Sequence, residues 1–170
     1  MKVPPLIKML GELRSHEISY GYGGLKLFEA DELDAAQVGY SVGPDGESFC
    51  GAKPGDWRAS WIVIGHETAL GDPLFIDMAA AGPPVFTAAH GEGAWNPKPV
   101  AISMDAFARC WREFAFLARG RANPIELKAT PLSTTERIDY LNRINEINEG
   151  CIHAELWKLL LDSDEEMDDD

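Results

Sequence analysis

Apolar residues recur at helical spacing near both ends of the chain. In the first segment the positions are Leu6, Met9, Leu10 and Leu13, and in the second they are Phe107, Cys110, Trp111, Phe114 and Leu117. The first run follows a proline pair and predicts a short amphipathic helix, which glycine-rich residues 19–24 connect to a strand. The second run predicts a longer helix that ends near Gly120.

The last quarter of the chain also predicts helices. Ser133 and Glu136 are spaced as in a capping box, in which the serine hydroxyl and the glutamate carboxylate each accept a hydrogen bond from a backbone amide of the other residue. We therefore expect a helix from this point to Gly150 and one or two further helical turns in residues 152–160. Residues 121–131 lie between the two predicted helical regions and are predicted to be a linker.

Short β-type runs occupy the middle of the chain. Residues 61–64, 74–76 and 83–89 are apolar segments separated by turn-forming residues, which favours an antiparallel meander. Residues 25–28 and 37–42 predict two more strands, residues 30–36 predict one or two helical turns capped by Asp31, and a loop is expected up to about Pro99.

Because helices are predicted at both ends and strands between them, the fold class is α+β, with a central, mostly antiparallel sheet. We expect a single domain over residues 1–161, with added C-terminal helices from about residue 121. A length of 170 residues with 45% hydrophobic content is sufficient for one core of this kind.

The net charge of −13 is unevenly distributed along the chain. Residues 162–170 contain seven acidic and no basic residues, so the rest of the chain carries −6. We expect this acidic tail to be disordered because its charges repel one another. An acidic body argues against direct nucleic-acid binding, which needs clustered lysine and arginine, but it permits a basic protein partner.

No apolar run approaches the ~20 residues that a membrane-spanning helix needs, and the first residues are too proline-rich and charged for a signal peptide. A cytoplasmic location without membrane contact is therefore expected. The three cysteines are far apart and form no CxxC pair, so neither a zinc knuckle nor a disulfide framework is predicted.

Polar residues in the centre of the chain raise the question of catalysis. His66, Asp72, Asp77 and His90 could converge on a metal ion, which is the basis of an alternative prediction, a metal-dependent hydrolase. The sequence His66-Glu67 lacks the second histidine of a zinc-protease motif because Leu70 occupies that position. No nucleophile elbow is present either. We therefore predict a non-enzymatic protein without catalytic residues, metal or cofactor, whose polar turn faces solvent.

Three segments in a fixed order resemble the SUKH superfamily, which includes Smi/Knr-type proteins named for a yeast cell-wall-synthesis regulator. They are GGLKLFEADEL, WIVIGHETALGDPLFIDM and PPVFTAAHGEGAWNPKPVAISMDAFARCWREF. The matching residues are Ile64-Gly65, Gly71-Asp72, Phe75-Ile76-Asp77, Pro84-Val85-Phe86 and Ala101-Ile102-Ser103 with Phe107. The resemblance covers roughly residues 23–117. The chain departs from the pattern in its short first helix, in the absence of a Leu-Pro entry, and in residues 121–170.

The resemblance implies a protein-binding function. Bacterial members of the superfamily are immunity proteins that neutralise polymorphic toxins, many of them nucleases, and other members are adaptors. The family has no common catalytic residues. We therefore predict an immunity protein in a toxin–antitoxin pair whose partner is a basic toxin domain, with a regulatory or scaffold adaptor as an alternative. The candidate contact residues, all in predicted loops, are Trp57, Trp95, Glu92, Glu67 and Asp72. The two tryptophans lie in loops rich in glycine and proline, where a large aromatic side chain covers the core or anchors a partner.

Overall fold

The computed structural model of the protein describes residues 3–152 and 154–162. Within this part of the chain, six strands form one sheet in chain order, and each strand is antiparallel to the next. The strands are β1 (Glu17–Tyr20), β2 (Gly23–Leu27), β3 (Trp61–Glu67), β4 (Pro73–Asp77), β5 (Val85–Thr87) and β6 (Lys98–Ala101). The helices of the same residues are α1 (Pro4–Glu12), α2 (Met104–Leu117), α3 (Pro124–Ala129), α4 (Thr134–Ile147) and α5 (Glu155–Asp162). The predicted α+β class with an antiparallel meander is confirmed.

The long helices begin where the sequence provides caps. The Ser103 hydroxyl accepts a hydrogen bond from the Ala106 amide at the start of α2. The predicted capping box of α4 is present, because the Ser133 hydroxyl accepts from the Glu136 amide and the Glu136 carboxylate accepts from the Ser133 amide. Each bond satisfies an amide that has no partner inside its helix.

The helices pack on one face of the sheet and form the main core there. Trp157 of α5 is fully buried in this core, and its indole nitrogen donates to the Val100 carbonyl of β6 at 2.9 Å. Asn148, also fully buried, accepts from the Ile102 amide and donates to the Ile144 carbonyl and the Cys110 sulfur. Burial raises the pKa of the Cys110 thiol to about 11, so this cysteine stays protonated in the core.

Several elements differ from the sequence prediction. The glycine-rich residues 19–24 are predicted to connect a helix to a strand. In the structure they lie in the β1–β2 hairpin, since strand β1 stands between the helix and the turn. Gly24 has φ of 153°, and a side chain there would collide with the Ile18 carbonyl of β1. Residues 37–42 form no strand but a turn-rich segment that follows a short 3₁₀ helix (Ala35–Gln37), and Asp31 does not cap a helix. Strand β6 replaces the end of a predicted loop, and α3 replaces most of the predicted linker.

The C-terminal helix α5 ends at Asp162, which is the first residue of the predicted acidic tail. The remaining residues of that tail, 163–170, lie outside the described residues. Among residues 3–152 and 154–162, no helix combines the length and apolar composition that crossing a bilayer requires.

Candidate protein-interaction face

The sheet has a second apolar face, opposite the helices. Neighbouring residues of a strand point to opposite sides of a sheet, so Ile64 and Ile76 enter the main core while Val63 and Phe75 enter a second cluster. The second cluster consists of buried Trp57, Val63, Phe75 and Ala88, with partly buried Phe28, Tyr40, Cys50, Trp61, Phe86 and Trp95 packed against it. We call the surface over this cluster the loop-covered face, because residues 38–60 and 89–97 lie across it.

Gln37 attaches the covering segment to the sheet. Its side-chain amide donates to the Val63 carbonyl at 2.9 Å and its side-chain oxygen accepts from the Val63 amide at 3.0 Å. The same amide also donates to the Leu33 carbonyl. Gln37 is buried and therefore completes the backbone pairing of β3 at a point where β2 has ended. This side chain fixes where residues 38–60 begin to cross the sheet.

Trp57 is the centre of the loop-covered face. Its ring lies 4.8 Å from Phe75, 5.2 Å from Tyr40 and Trp95, and 5.4 Å from Trp61, measured between ring centroids. Its indole nitrogen donates to the Trp61 carbonyl at 3.3 Å. Only 1% of Trp57 is exposed, so its ring lies beneath the surrounding aromatic side chains and packs against them.

The two covering loops are joined at the outer rim of this face. The Trp95 amide donates to the Gly55 carbonyl at 2.8 Å. Asp72, at the β3–β4 turn, accepts hydrogen bonds at one carboxylate oxygen from the His90 amide and from the His90 ring, at 3.1 and 2.8 Å. Burial and the nearby negative charge of Asp72 raise the pKa of Tyr40. Tyr40, Asp72, His90 and Trp95 therefore form one continuous part of the surface.

The loop-covered face belongs to the most acidic part of the described chain. Residues 29–97 contain eleven acidic and two basic residues, a net charge of −9. Partly exposed aromatic side chains lie among these charges, namely Tyr40, Trp61 and Trp95, and Val38 and Phe49 of the covering segment are each 47% exposed. Four of these acids and both bases lie in residues 38–60 and 89–97, which cover the face. The accessible aromatic rings make this surface the candidate protein-interaction face.

The structure separates the five candidate contact residues. Trp95 is half-buried, Glu92 is exposed and Asp72 is half-buried, and these three lie on or beside the loop-covered face. Trp57 is in the core, where it covers the sheet and offers no surface to a partner. Glu67 was expected in a loop, but it is the last residue of β3 and only 5% exposed.

Glu67 has a structural role in the β3–β4 turn. Its two carboxylate oxygens accept hydrogen bonds from the backbone amides of Ala69 and Leu70, both at 2.6 Å. This geometry holds residues 68–71 in a tight turn before Asp72, and Gly71 completes it with φ of 79°. The predicted polar turn therefore exists, although the carboxylate of Glu67 bonds to backbone amides of the turn and does not face solvent.

Substituting Glu67 with alanine should lower the free energy of unfolding by about 1–3 kcal/mol, because two amide donors at the turn lose a charged acceptor. Urea denaturation of the purified variant measures this loss. The matched control is Glu92→Ala, an exposed acid on the next loop, for which the change should stay within about 0.5 kcal/mol. Equal stability of the two variants would contradict a structural role for Glu67.

The four residues of the alternative metal site do not converge. Asp72 and His90 are paired, but Asp77 is at the far end of β4, about 17 Å from Asp72 at ~3.4 Å per residue. The Asp77 carboxylate accepts from the Ala79 amide and closes the following turn. The His66 ring contacts the Glu67 carbonyl and Phe28. Among the described residues, no group of three or more His, Cys, Asp or Glu side chains is arranged to hold a metal ion.

Sequence reasoning missed Tyr40 and Gln37 because it placed residues 37–42 in a strand. One signal could have identified Tyr40, namely an aromatic residue between glycines in the acidic stretch of the chain. The role of Gln37 could not be predicted, because its hydrogen-bond partner Val63 is 26 residues later in the sequence.

Comparison with known proteins gives no relative: no family model matches the chain, and no curated protein or solved structure matches it.

Proposed function

We propose that this chain is a non-enzymatic protein-binding module whose loop-covered face docks a basic partner protein. Within the resemblance to the SUKH superfamily, the proposed role is that of an immunity protein that neutralises a polymorphic toxin. The observation that carries the proposal is the presence of partly exposed Tyr40, Trp61 and Trp95 on one surface whose covering residues, 38–60 and 89–97, contain four acidic and two basic residues.

The two components of this surface have different effects on binding. The acidic residues attract a basic partner over a distance of about one Debye length, ~8 Å at physiological salt, and so increase the association rate. The aromatic residues are removed from water in the complex and slow dissociation. Trp95 suits the second role because Trp57 and Tyr40 already hold its ring from two sides, so little side-chain entropy is lost on binding.

Co-expression tests the proposal directly. The protein encoded by the gene beside this one is expressed with and without the chain, and growth and complex formation are measured. Rescue of growth together with a purified complex supports the immunity role. A complex without any toxicity of the neighbour supports the adaptor role instead. Absence of both rescue and complex would contradict the proposal for that neighbour.

Trp95→Ala is expected to weaken the complex by about 2 kcal/mol, or roughly thirtyfold in Kd, mainly through faster dissociation. Glu92→Gln is expected to slow association at low salt and to have little effect at high salt. Surface plasmon resonance at two salt concentrations separates the two effects. The control variants are Tyr22→Ala and Glu146→Gln, an exposed aromatic residue of the β1–β2 turn and an exposed acid of α4. If the controls weaken binding as much as the test variants, the partner does not dock on the loop-covered face.

A further inference from the structure

An arginine-lined cleft lies on the helical side of the molecule, away from the loop-covered face. It is an open cleft of about 760 Å³ between the end of α1, one side of α2 and the middle of α4. Four arginines line it, namely Arg14, Arg112, Arg119 and Arg143, and the lining carboxylates are Glu12 and Glu113. The charged residues of the arginine cleft therefore sum to +2 in a chain that carries −13 overall.

The positive charge of the arginine cleft is only partly neutralised. Arg143 bonds to Glu113 at 2.8 Å, while the distance from Arg112 to Glu12 is 3.8 Å. Arg14 and Arg119 form no ion pair with a carboxylate of residues 3–152 or 154–162. The Arg119 guanidinium instead lies 5.1 Å from the ring centre of Phe116, which is 62% exposed. Two cations and an accessible aromatic ring are thus available to an acidic ligand.

The chain itself contains a segment of the complementary charge. Residues 163–170 hold six acidic and no basic residues. They follow directly on Asp162 of α5, whose carboxylate accepts a hydrogen bond from Arg137 of α4 at 2.8 Å. The segment therefore begins beside α4, the helix that contributes Arg143 to the cleft.

The distances allow this segment to reach the cleft. Arg137 and Arg143 are six residues apart on α4, which is about 9 Å along the helix axis and about 120° around it. Eight residues span up to about 26–29 Å when extended. A segment tethered this close to its site has a high effective concentration, so weak charge contacts are sufficient for substantial occupancy.

We propose that the acidic residues 163–170 dock in the arginine cleft of the same molecule. Arg14 and Arg119 are the principal contacts, because neither is paired with a carboxylate in the described residues. Docking neutralises the basic patch and excludes other polyanions from it, while the acidic loop-covered face remains available. The assignment is independent of the proposed function, since it concerns a different surface.

Nuclear magnetic resonance of the full chain tests the assignment with three full-length variants. The first neutralises the segment by Asn or Gln substitution of its six acids, the second is Arg14→Gln with Arg119→Gln, and the third is the control Arg109→Gln, an exposed arginine of α2 outside the cleft. We expect neutralising the segment to shift the side-chain Nε–Hε signals of the four cleft arginines and to leave that of Arg109 in place. We expect the double substitution, but not Arg109→Gln, to shift the backbone amide signals of residues 163–170. High salt should reduce both shifts.

Three results would overturn the assignment. If neutralising the segment leaves the Nε–Hε signals of the cleft arginines unchanged, the segment does not occupy the cleft. Equal shifts of the segment's signals in Arg109→Gln and in the double variant would show a general charge effect. Shifts that disappear on dilution would show that the segment of a second molecule occupies the cleft. Arg14, Arg109 and Arg119 are exposed, so their substitution should leave the folded state intact, and amide spectra of the core verify this for all three variants.

Discussion

Replacing Trp57 with alanine is expected to lower the free energy of unfolding by about 3–5 kcal/mol, the largest effect anticipated for a single substitution on the loop-covered face. The side chain is fully buried among four aromatic rings, so its removal leaves a cavity beneath the covering loops. The Trp61 carbonyl also loses its indole donor. Denaturant unfolding monitored by circular dichroism measures the change.

The matched control for this experiment is Trp57→Phe. Phenylalanine retains much of the ring contact with Phe75 and Tyr40 but lacks the indole donor, so its loss should be clearly smaller than that of alanine. If Trp57→Ala unfolds within about 1 kcal/mol of the unsubstituted protein, the covering segment does not depend on this side chain. Trp57 would then have to be reconsidered as a surface residue and a direct contact for the partner.

Replacing Arg121 with methionine is expected to cost about 2–4 kcal/mol, because three acceptors lose one charged donor group. Its guanidinium donates to the Thr130 carbonyl at 2.7 Å, to the Leu117 carbonyl at 2.8 Å and to the Glu136 carboxylate at 3.0 Å. The side chain thereby joins the end of α2, the end of α3 and the start of α4. Arg109→Met, an exposed arginine of α2, is the control and should change stability by no more than about 0.5 kcal/mol.

The pH dependence of the Arg121 variant gives a second readout. Hydrogen bonds from Ser133 and then from Arg121 lower the pKa of Glu136 to about 2, from an ordinary value of 4.5. A lowered folded-state pKa contributes stability above pH 4.5 that is lost as the pH falls towards 2. In Arg121→Met the Ser133 bonds remain, so the pKa of Glu136 should rise only part of the way. An unchanged pKa in a carboxyl titration by nuclear magnetic resonance would contradict the contact.

The elements that the sequence predicts correctly are those whose signal is local. In α2 the residues Phe107, Phe114 and Leu117 recur on one helical face, and in α4 the pair Ser133 and Glu136 marks the first turn. The three central strands are likewise bounded by turn residues within a few positions. Each of these signals comes from residues that are close together in the sequence, within two helical turns or one hairpin. These elements can therefore be predicted without knowledge of the tertiary structure.

The missed elements have signals that are ambiguous in the sequence. Pro99 argues against a central strand, yet β6 is at the edge of the sheet, where proline is tolerated. Residues 121–131 are predicted to be a linker, but the Asn123 side chain caps α3 and Pro124 occupies its first turn. In both cases, whether the proline breaks or permits the element depends on the position of that element in the fold.

The sequence named five candidate contact residues but could not tell which of them reach the surface. Loop tryptophans and a surplus of acids led to the prediction of a binding face, and the structure places Trp95 and Glu92 on or beside the loop-covered face. Trp57 and Glu67 could not be separated from them, because an aromatic ring that covers a core and one that anchors a partner have the same sequence context. An acid that accepts hydrogen bonds from turn amides and an acid that faces solvent also have the same sequence context. Only the contacts of Trp57 with Phe75 and of Glu67 with the Ala69 amide distinguish these roles.

The placement of Pro99 on the outermost strand also affects how copies of this protein behave towards one another. An open sheet can be extended by a strand from a second molecule if its edge offers free amide donors. Pro99 has no amide hydrogen, Lys98 brings a charge to the same strand, and Glu155 of α5 pairs with that lysine at 3.2 Å. The β6 edge of the sheet is therefore a poor template for a strand from a second molecule.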